Sequence, residues 1–325
     1  MTIVLIVGGA GFIGSHLVAR CLKQHHTVHV ITKPTTDRYR LEGYLERIHV
    51  HQLDINNRGA LERLLGEIEP ELIYHLAIAT RRKTMPHLGD AFASVKEDVL
   101  GLLSVLAAAE ASGTPRMFIR TGSLAAYGRT PASHVESARE VPQSVYAAGL
   151  VAGAHYVEAL QARLPFPVIT ARLSLVYGPD QSDEFFIPSM IKQCLTGLAS
   201  VVQNPHARRD LIYVDDAVDA LQTIAESNLP GGTIVNIASG EAPTMAEVAN
   251  CILNATGGDP KLVSFKSQDR TNDVDLVPSP LLAKELLGWS TRTGLSRGID
   301  LTVDWWRGKL RRVRGTRVGE DMHFR

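Results

Sequence analysis

A glycine-rich turn follows the first apolar run of the chain, and its spacing is typical of a phosphate-binding site. The segment GGAGFIG at residues 8–14 comes directly after the run TIVLIV and opens a predicted helix. Glycines at this spacing let the backbone turn tightly and approach a pyrophosphate, whose charge the helix N-terminus stabilises. The turn therefore predicts a dinucleotide site. Its predicted contacts are Gly8, Gly11, Phe12, Ile13 and Gly14.

The second predicted strand ends without a carboxylate. In dinucleotide-binding folds an acidic side chain at this point accepts hydrogen bonds from the adenosine ribose of NAD, whereas cations suit the 2′-phosphate of NADP. Here the strand ends at Thr32, and Lys33 and Arg38 follow it. These residues favour NADP(H), with NAD(H) left open. Asp54 and Ile55 close the third strand, where we expect contact with the adenine ring.

Strands alternate with helices through the first half of the chain, which predicts an α/β fold. The pattern is typical of a Rossmann-type doubly wound parallel sheet with right-handed crossovers. We predict a dinucleotide-binding domain at 1–172 with a return segment at about 210–238, and a smaller substrate-binding lobe from 173–209 and 239–306. Residues 307–325 are predicted to be a basic tail.

Composition excludes several classes of protein. The 34 acidic side chains balance the 34 basic ones, and no basic stripe suggests a nucleic-acid partner. Cys21, Cys194 and Cys251 lie far apart, so neither a disulfide framework nor a metal site is predicted. No apolar run is long enough to cross a membrane, for which about 18 residues are needed. We therefore expect a cytoplasmic protein.

Several segments together resemble one family, the extended short-chain dehydrogenase/reductases, and within it the branch that acts on nucleotide sugars. The resemblance covers about residues 1–305, and its seven ordered segments are GGAGFIGSH, LDI, YHLA, TGSLAAYG, SVYAAGL, RLSLVYGP and RDLIYVDDAVDA. It implies that Leu76 and Ala77 line the cofactor pocket. It also implies a homodimer formed through the predicted helices 98–112 and 145–162.

The same resemblance assigns two catalytic residues and exposes one departure. Ser123 would orient the substrate oxygen, and Tyr146 would contact the cofactor and transfer the proton. The family motif is YxxxK, but Leu150 stands where the lysine should be. A nearby cation lowers a pKa by about one to three units, so without it a tyrosine is a poor base at neutral pH. Such a tyrosine is nevertheless fully protonated and can donate to a forming alkoxide.

The resemblance also suggests the substrate and the reaction. Arg209 and Arg270 match the arginines that bind the nucleotide diphosphate, for which guanidinium groups give bidentate hydrogen bonds. Leu124 and Ala125 stand where dehydratases carry an acidic pair, so dehydration is not expected. The leading hypothesis is NADPH-dependent reduction of a keto group on a nucleotide sugar. An NAD-dependent epimerase and a catalytically impaired NADP-binding or sensor protein remain as alternatives.

Overall fold

The computed structural model describes residues 1–80, 83–266 and 275–321, with the side chains of the last helix as far as residue 312. Within these ranges the strands are β1 Ile3–Val7, β2 Thr27–Thr32, β3 His49–Gln52, β4 Leu72–His75, β5 Met117–Ser123, β6 Val168–Leu173, β7 Leu175–Tyr177, β8 Ser200–Gln203, β9 Leu211–Tyr213, β10 Ile234–Ile237 and β11 Val263–Lys266. The α-helices are α1 Phe12–Lys23, α2 Arg58–Ile68, α3 Gly89–Ser94, α4 Gly101–Ser112, α5 Val145–Leu160, α6 Phe186–Thr196, α7 Val214–Glu226, α8 Met245–Thr256, α9 Leu281–Leu287 and α10 Leu295–Asp321.

The main sheet is parallel and doubly wound, as predicted. In the described part of the chain its strand order is β10-β6-β5-β4-β1-β2-β3, and every neighbouring pair is parallel. The chain leaves β1 toward β2 and β3, and then crosses back to β4 on the other side of β1. This reversal opens a crevice at the carboxyl ends of β1 and β4, where such sheets bind their ligands.

The strands of the main sheet are apolar on both faces because helices cover both. In β1, Val4 and Ile6 face a core shared with α1 and α7, whereas Leu5 and Val7 face a core shared with α2, α4 and α5. All four side chains are essentially inaccessible. Burying an aliphatic side chain of this size contributes about 1.5–3 kcal/mol, so this strand anchors both layers and fixes the turn that follows it.

The second lobe has its own apolar core, built from elements of the second half of the chain. Residues of α6, β8, α8 and α10 pack together in it, Ile191, Val202, Ile252 and Val303 among them. Strand β10 returns to the edge of the main sheet, within the segment expected to return. Helix α10 continues through residue 306 to Asp321, so the first part of the predicted basic tail is helical. Among the described residues, no helix combines the length and hydrophobicity required to cross a bilayer.

Two predicted helices have different bounds in the structure, and the one predicted at 145–162 ends at Leu160 as α5. The segment expected as a single helix from residue 98 begins instead with a π-helical turn, Val95–Leu100, between α3 and α4. A π-turn widens the helix locally and is frequent at functional sites. Packing fixes the start of α4, since a Cβ on Gly101 would lie 2.7 Å from Ile55 Cδ1. The turn carries Glu97 and Asp98 to the crevice.

Candidate active site

The glycine-rich turn closes against the end of β4. Gly8 has a φ of +90°, and a Cβ there would lie 2.8 Å from the amide nitrogen of Ala77. Gly14 is equally restricted, because a Cβ would meet the carbonyl oxygen of Gly8 and lie 2.8 Å from Gly9 Cα. Helix α1 begins at Phe12 without a side-chain cap. The N–H groups of its first turn are therefore available to a phosphate.

A cavity of about 230 Å³ extends from this turn along the crevice. The ends of β1, β2 and β4 and the π-turn enclose it. The predicted cofactor residues in its wall are Gly8, Gly11, Thr32, Lys33, Ile55, Leu76 and Ala77. The wall also contains residues that the sequence did not single out, namely Thr36, Asn56, Ile78, Ala79, Glu97 and Asp98.

Three of the predicted cofactor residues lie behind the cavity wall or beside it. Ile13 packs in the core below the turn, and Phe12 stacks edge-on against His16 with ring centroids 5.6 Å apart. Gly14 supports the turn from the first turn of α1. Close backbone contact requires the glycine at position 14, whereas Phe12 and Ile13 shape the phosphate site through side-chain packing.

The end of the cavity near β2 contains an unsatisfied hydroxyl and an ion pair. Thr32 Oγ1 is buried and has no hydrogen-bond partner among the described residues. Lys33 Nζ lies 3.0 Å from Glu97 Oε1, which reaches it from the π-turn. A buried hydroxyl without a partner costs free energy, which a ligand can recover by hydrogen bonding to it. The chemistry at this end therefore fits a polar group such as a ribose or its phosphate.

The two remaining residues predicted for the adenosine lie on loops at the same end. Asp54 is exposed and accepts hydrogen bonds from the backbone and side-chain nitrogens of Asn56, at 2.9 and 3.0 Å. These hydrogen bonds hold the pKa of Asp54 below its usual value. Arg38 is half-buried just before the 3₁₀ segment Tyr39–Arg47 and does not contribute to the cavity wall. Its role as a phosphate ligand stays a prediction.

Ser123 and Tyr146 come together at the other end of the crevice. Ser123 ends β5, and Tyr146 lies in the first turn of α5, which Ser144 caps by accepting a hydrogen bond from the amide of Ala147 at 3.2 Å. The Ser123 hydroxyl is hydrogen-bonded to the Tyr146 phenol. Burial raises the pKa of Tyr146, the hydrogen bond from Ser123 partly opposes this, and the Asp98 carboxylate raises it further. This phenol is therefore held in its protonated form.

Leu150 occupies the position of the motif lysine, and a serine and an aspartate pack against the preceding residue, Gly149. Leu150 is 3% exposed. Gly149 lies against α3 and the π-turn, where a Cβ would be 2.6 Å from Ser94 Oγ and 3.1 Å from Asp98 Oδ2. Ser94 donates a hydrogen bond of 2.8 Å to Asp98. Any side chain at position 149 would therefore clash with Ser94, and the glycine leaves room for the Ser94–Asp98 pair.

A buried guanidinium stabilises the same stretch of α5 from below. Arg120, on β5, donates a hydrogen bond of 3.2 Å from Nη2 to the carbonyl oxygen of Leu150. Burial, together with Arg172, lowers the pKa of Arg120 to about 10. The neighbouring His75 is buried at the end of β4, and burial lowers its pKa to about 3. Arg120 thus holds α5 through the Leu150 carbonyl, and His75 stacks on Phe118 with ring centroids 6.2 Å apart.

The predicted substrate contacts are only partly described. Arg209 is half-buried beside the second lobe, where its Nη1 donates a hydrogen bond of 2.8 Å to the carbonyl oxygen of Arg208. Arg270 lies outside the described residues. Leu124 is fully buried after Ser123, and Ala125 follows it, so neither of the two positions after Ser123 carries a carboxylate. The assignment of the arginines to a diphosphate stays a prediction.

The doubly wound sheet, the glycine turn and the paired serine and tyrosine define a pyridine-nucleotide-dependent protein of the short-chain dehydrogenase/reductase class. Residues 4–238 match the NAD dependent epimerase/dehydratase family, and the chain belongs to that family. This confirms the extended short-chain dehydrogenase/reductase resemblance. It also confirms that the cofactor is a pyridine nucleotide, without deciding between NAD and NADP.

Individual relatives agree with the family match. The UDP-glucose 4-epimerase of Mycolicibacterium smegmatis is 28% identical over 318 residues, covering 94% of this chain and 98% of the relative. The crystal structure of Thermus thermophilus UDP-glucose 4-epimerase complexed with NAD is 28% identical, with a TM-score of 0.80, covering 94% of this chain and 99% of the other. A trifunctional Arabidopsis thaliana UDP-glucose 4,6-dehydratase, 3,5-epimerase and reductase is 25% identical, and this chain, 93% of which aligns, spans 46% of its length.

Proposed function

We propose that this chain uses NADPH to reduce a keto group on a nucleotide-activated sugar, of the 4-ketoreductase type. The observation that carries the proposal is the state of Tyr146. Its phenol is hydrogen-bonded to Ser123, and burial and the Asp98 carboxylate both raise its pKa. A group held protonated at neutral pH is suited to donate a proton, and reduction of a carbonyl requires such a donor.

The residues divide the chemistry as follows. When bound, the reduced nicotinamide supplies the hydride that the carbonyl carbon accepts, and is itself oxidised. Ser123 donates a hydrogen bond that orients the carbonyl oxygen, and Tyr146 gives its proton to that oxygen as the alcohol forms. The resulting tyrosinate takes a proton from solvent, which restores the phenol for the next turnover.

The cofactor and substrate assignments rest on charge. No carboxylate ends β2, and Lys33 follows Thr32 in the cavity wall, which suits the 2′-phosphate of NADPH. Arg209, and Arg270 from the sequence, are the proposed diphosphate ligands. The relatives are named as enzymes of UDP- and dTDP-sugars, which supports a nucleoside diphosphate sugar as the substrate.

An epimerase with retained NAD is the second candidate, because relatives named as UDP-glucose 4-epimerases match nearly their whole length. Such an enzyme must remove a proton from an alcohol before returning a hydride, so it needs Tyr146 as a base in the first half-reaction. The raised pKa of Tyr146 and the absence of a motif lysine at Leu150 weigh against this cycle.

One experiment distinguishes the candidates. The purified protein is first denatured and its supernatant analysed for carried-over nucleotide, and it is then mixed with NADPH and a UDP- or dTDP-4-keto sugar. A reductase consumes one NADPH for each keto group lost. Retained NAD with interconversion of two sugars, and no consumption of added cofactor, would instead establish the epimerase. A protein that binds NADPH and does neither would be the impaired binding protein.

We also propose that the homodimer expected through the helices 98–112 and 145–162 forms through α4 and α5, with α3 and the π-turn beside them. Large apolar side chains lie exposed here, at Leu88 just before α3 and at Phe92, Val95, Leu100 and Tyr156. Several exposed large apolar side chains on neighbouring elements are typical of a protein interface. Sedimentation should give twice the mass of one chain, and Phe92→Asp should shift it to the mass of one. A cytoplasmic location, expected from the three separated cysteines, belongs to the same proposal.

A further inference from the structure

The ion pair between Lys33 and Glu97 joins two walls of the cofactor cavity. Lys33 follows β2, Glu97 belongs to the π-turn, and both side chains line the cavity together with the glycine turn. The ammonium and carboxylate groups are 3.0 Å apart. The chain therefore has a carboxylate near the end of β2, but it comes from a segment more than 60 residues later.

This placement changes the electrostatics at the point where the two cofactors differ. The end of β2 is where Rossmann sheets distinguish the ribose hydroxyls of NAD from the 2′-phosphate of NADP. Lys33 is the cation placed to meet that phosphate, and Glu97 already binds it. The same carboxylate would repel a phosphate dianion brought to the ammonium.

We infer that Glu97 is a specificity-determining residue, which competes with the 2′-phosphate for Lys33 and limits the preference of this chain for NADPH over NADH. The inference rests on the proposed use of NADPH. Both side chains are partly exposed, at 48% and 33%, so solvent screens the pair. The expected effect of Glu97 on the ratio of the two affinities is therefore modest, about two- to fivefold.

The buried hydroxyl of Thr32 supports a site of mixed character. Its Oγ1 has no partner among the described residues, so it can hydrogen bond to a ribose hydroxyl or to a phosphate oxygen. Thr32 thus discriminates little between the cofactors, and the balance of charge between Lys33 and Glu97 decides. This is why the ion pair, and not the residue that ends β2, is the position to alter.

The test is calorimetric titration of NADPH and of NADH into the full-length protein without any sugar. Glu97→Gln should shift the ratio of the two dissociation constants toward NADPH by about two- to fivefold. Lys33→Gln should shift it the other way, and Glu97→Gln should have a smaller effect in the Lys33→Gln background. The shift should shrink as salt increases, because the groups are partly exposed.

Glu62→Gln is the matched control, since it removes a carboxylate from an exposed ion pair with Arg58 on α2, outside the cavity. It should leave the ratio unchanged. A ratio that Glu97→Gln alters by less than about twofold, or no more than the control does, overturns the inference. Because no sugar is present, a failure of the proposed reduction does not affect this result, and a wild-type preference for NADH would contradict only the NADPH part of the proposed function.

Discussion

The two ends of the crevice differ in how closely they follow the family pattern. The glycine end is complete: Gly8 and Gly14 occupy positions where any side chain would meet backbone, and α1 opens toward the phosphate site. The tyrosine end is altered: Tyr146 and Ser123 are paired, but Leu150 replaces the cation and Asp98 adds a negative charge. The glycine turn thus follows the family pattern, whereas the charge beside Tyr146 is negative and not the positive charge of the YxxxK motif.

The two ends of the crevice depend on different kinds of interaction. The glycine end depends on backbone geometry, which only glycine allows at these points. The tyrosine end depends on charge, which side chains on α5 and the π-turn determine. Substitutions at each end should therefore separate the two functions.

The largest effect should come from Tyr146→Phe, which removes the proton donor at the altered end. Turnover of a keto sugar should fall by about a hundred- to ten-thousandfold, the range for loss of general acid catalysis. Steady-state NADPH consumption measures this loss. The affinity for NADPH, from calorimetry, should change little, and wild-type turnover in the variant would remove Tyr146 from the mechanism.

Leu150→Lys restores the family cation and sharpens the comparison. A neighbouring ammonium should lower the pKa of Tyr146 by about one to three units. The pH above which reduction slows should then move down by the same amount, as measured from single-turnover rates between pH 6.5 and 10. Leu150→Met, of similar size and no charge, should leave the profile unchanged. An identical profile for the lysine variant would show that residue 150 does not face Tyr146.

Gly14→Ala tests the glycine end of the crevice by adding a side chain where the backbone leaves no room. A Cβ at this position would meet the backbone of Gly8 and Gly9, and overpacking of this kind costs about 1–3 kcal/mol. Cofactor affinity or the free energy of unfolding should fall accordingly. Protein that still binds the cofactor should reduce the substrate at an unchanged rate. Gly66, exposed on α2 with nothing within 4 Å of a Cβ, is the control. Gly66→Ala should raise stability by about 0.5–1 kcal/mol.

The smallest predicted effect is a loss of stability at acid pH, which sets the lower pH limit for comparing the two ends of the crevice. His29 on β2 lies 3.0 Å from His51, Nδ1 to Nε2, and its ring stacks on His49. Burial and the two neighbouring histidines lower the pKa of His29 to about 4. The folded state therefore favours neutral His29, and its stabilisation is complete above the unfolded value of 6.5 and is lost as the pH falls through about 4.

Urea unfolding at pH 7 and pH 4 measures this loss. After allowance for partial exposure, His29 should contribute on the order of 1–2 kcal/mol to the difference. His29→Phe keeps the stacked ring and should reduce the difference by that amount, whereas His206→Asn, at an exposed position on the second lobe, should not. An equal pH dependence in His29→Phe would show that other groups cause the acid destabilisation.

Local sequence patterns were sufficient for much of the fold and for part of the site. The apolar run of β1 and the spacing of Gly8, Gly11 and Gly14 predicted a buried parallel strand and the turn after it, because both depend on neighbouring residues alone. Ser123 and Tyr146 were identified through the family resemblance, and the structure pairs them.

The contributions of Glu97 and Asp98 could not be predicted in the same way. They belong to the π-turn, which replaces the regular start of the predicted helix at residue 98. They reach Lys33 and Tyr146 only because β4 and β5 place that turn over the crevice. Two adjacent acidic residues at the start of a helix after β4 were a signal, but their partners are distant in sequence. The basic composition of residues 307–321 likewise gave no sign that α10 continues through them.

The most direct test of the account is the pH dependence of reduction in the wild-type protein. Single-turnover oxidation of bound NADPH by a keto sugar would be followed by absorbance from pH 6.5 to 9.5. A proton donor with a pKa above that of an ordinary tyrosine, which is about 10, predicts a level rate constant over this range. A rate that declines with a midpoint between about pH 7 and 9 would mean that Tyr146 loses its proton as readily as if the lysine were present, and would contradict the account.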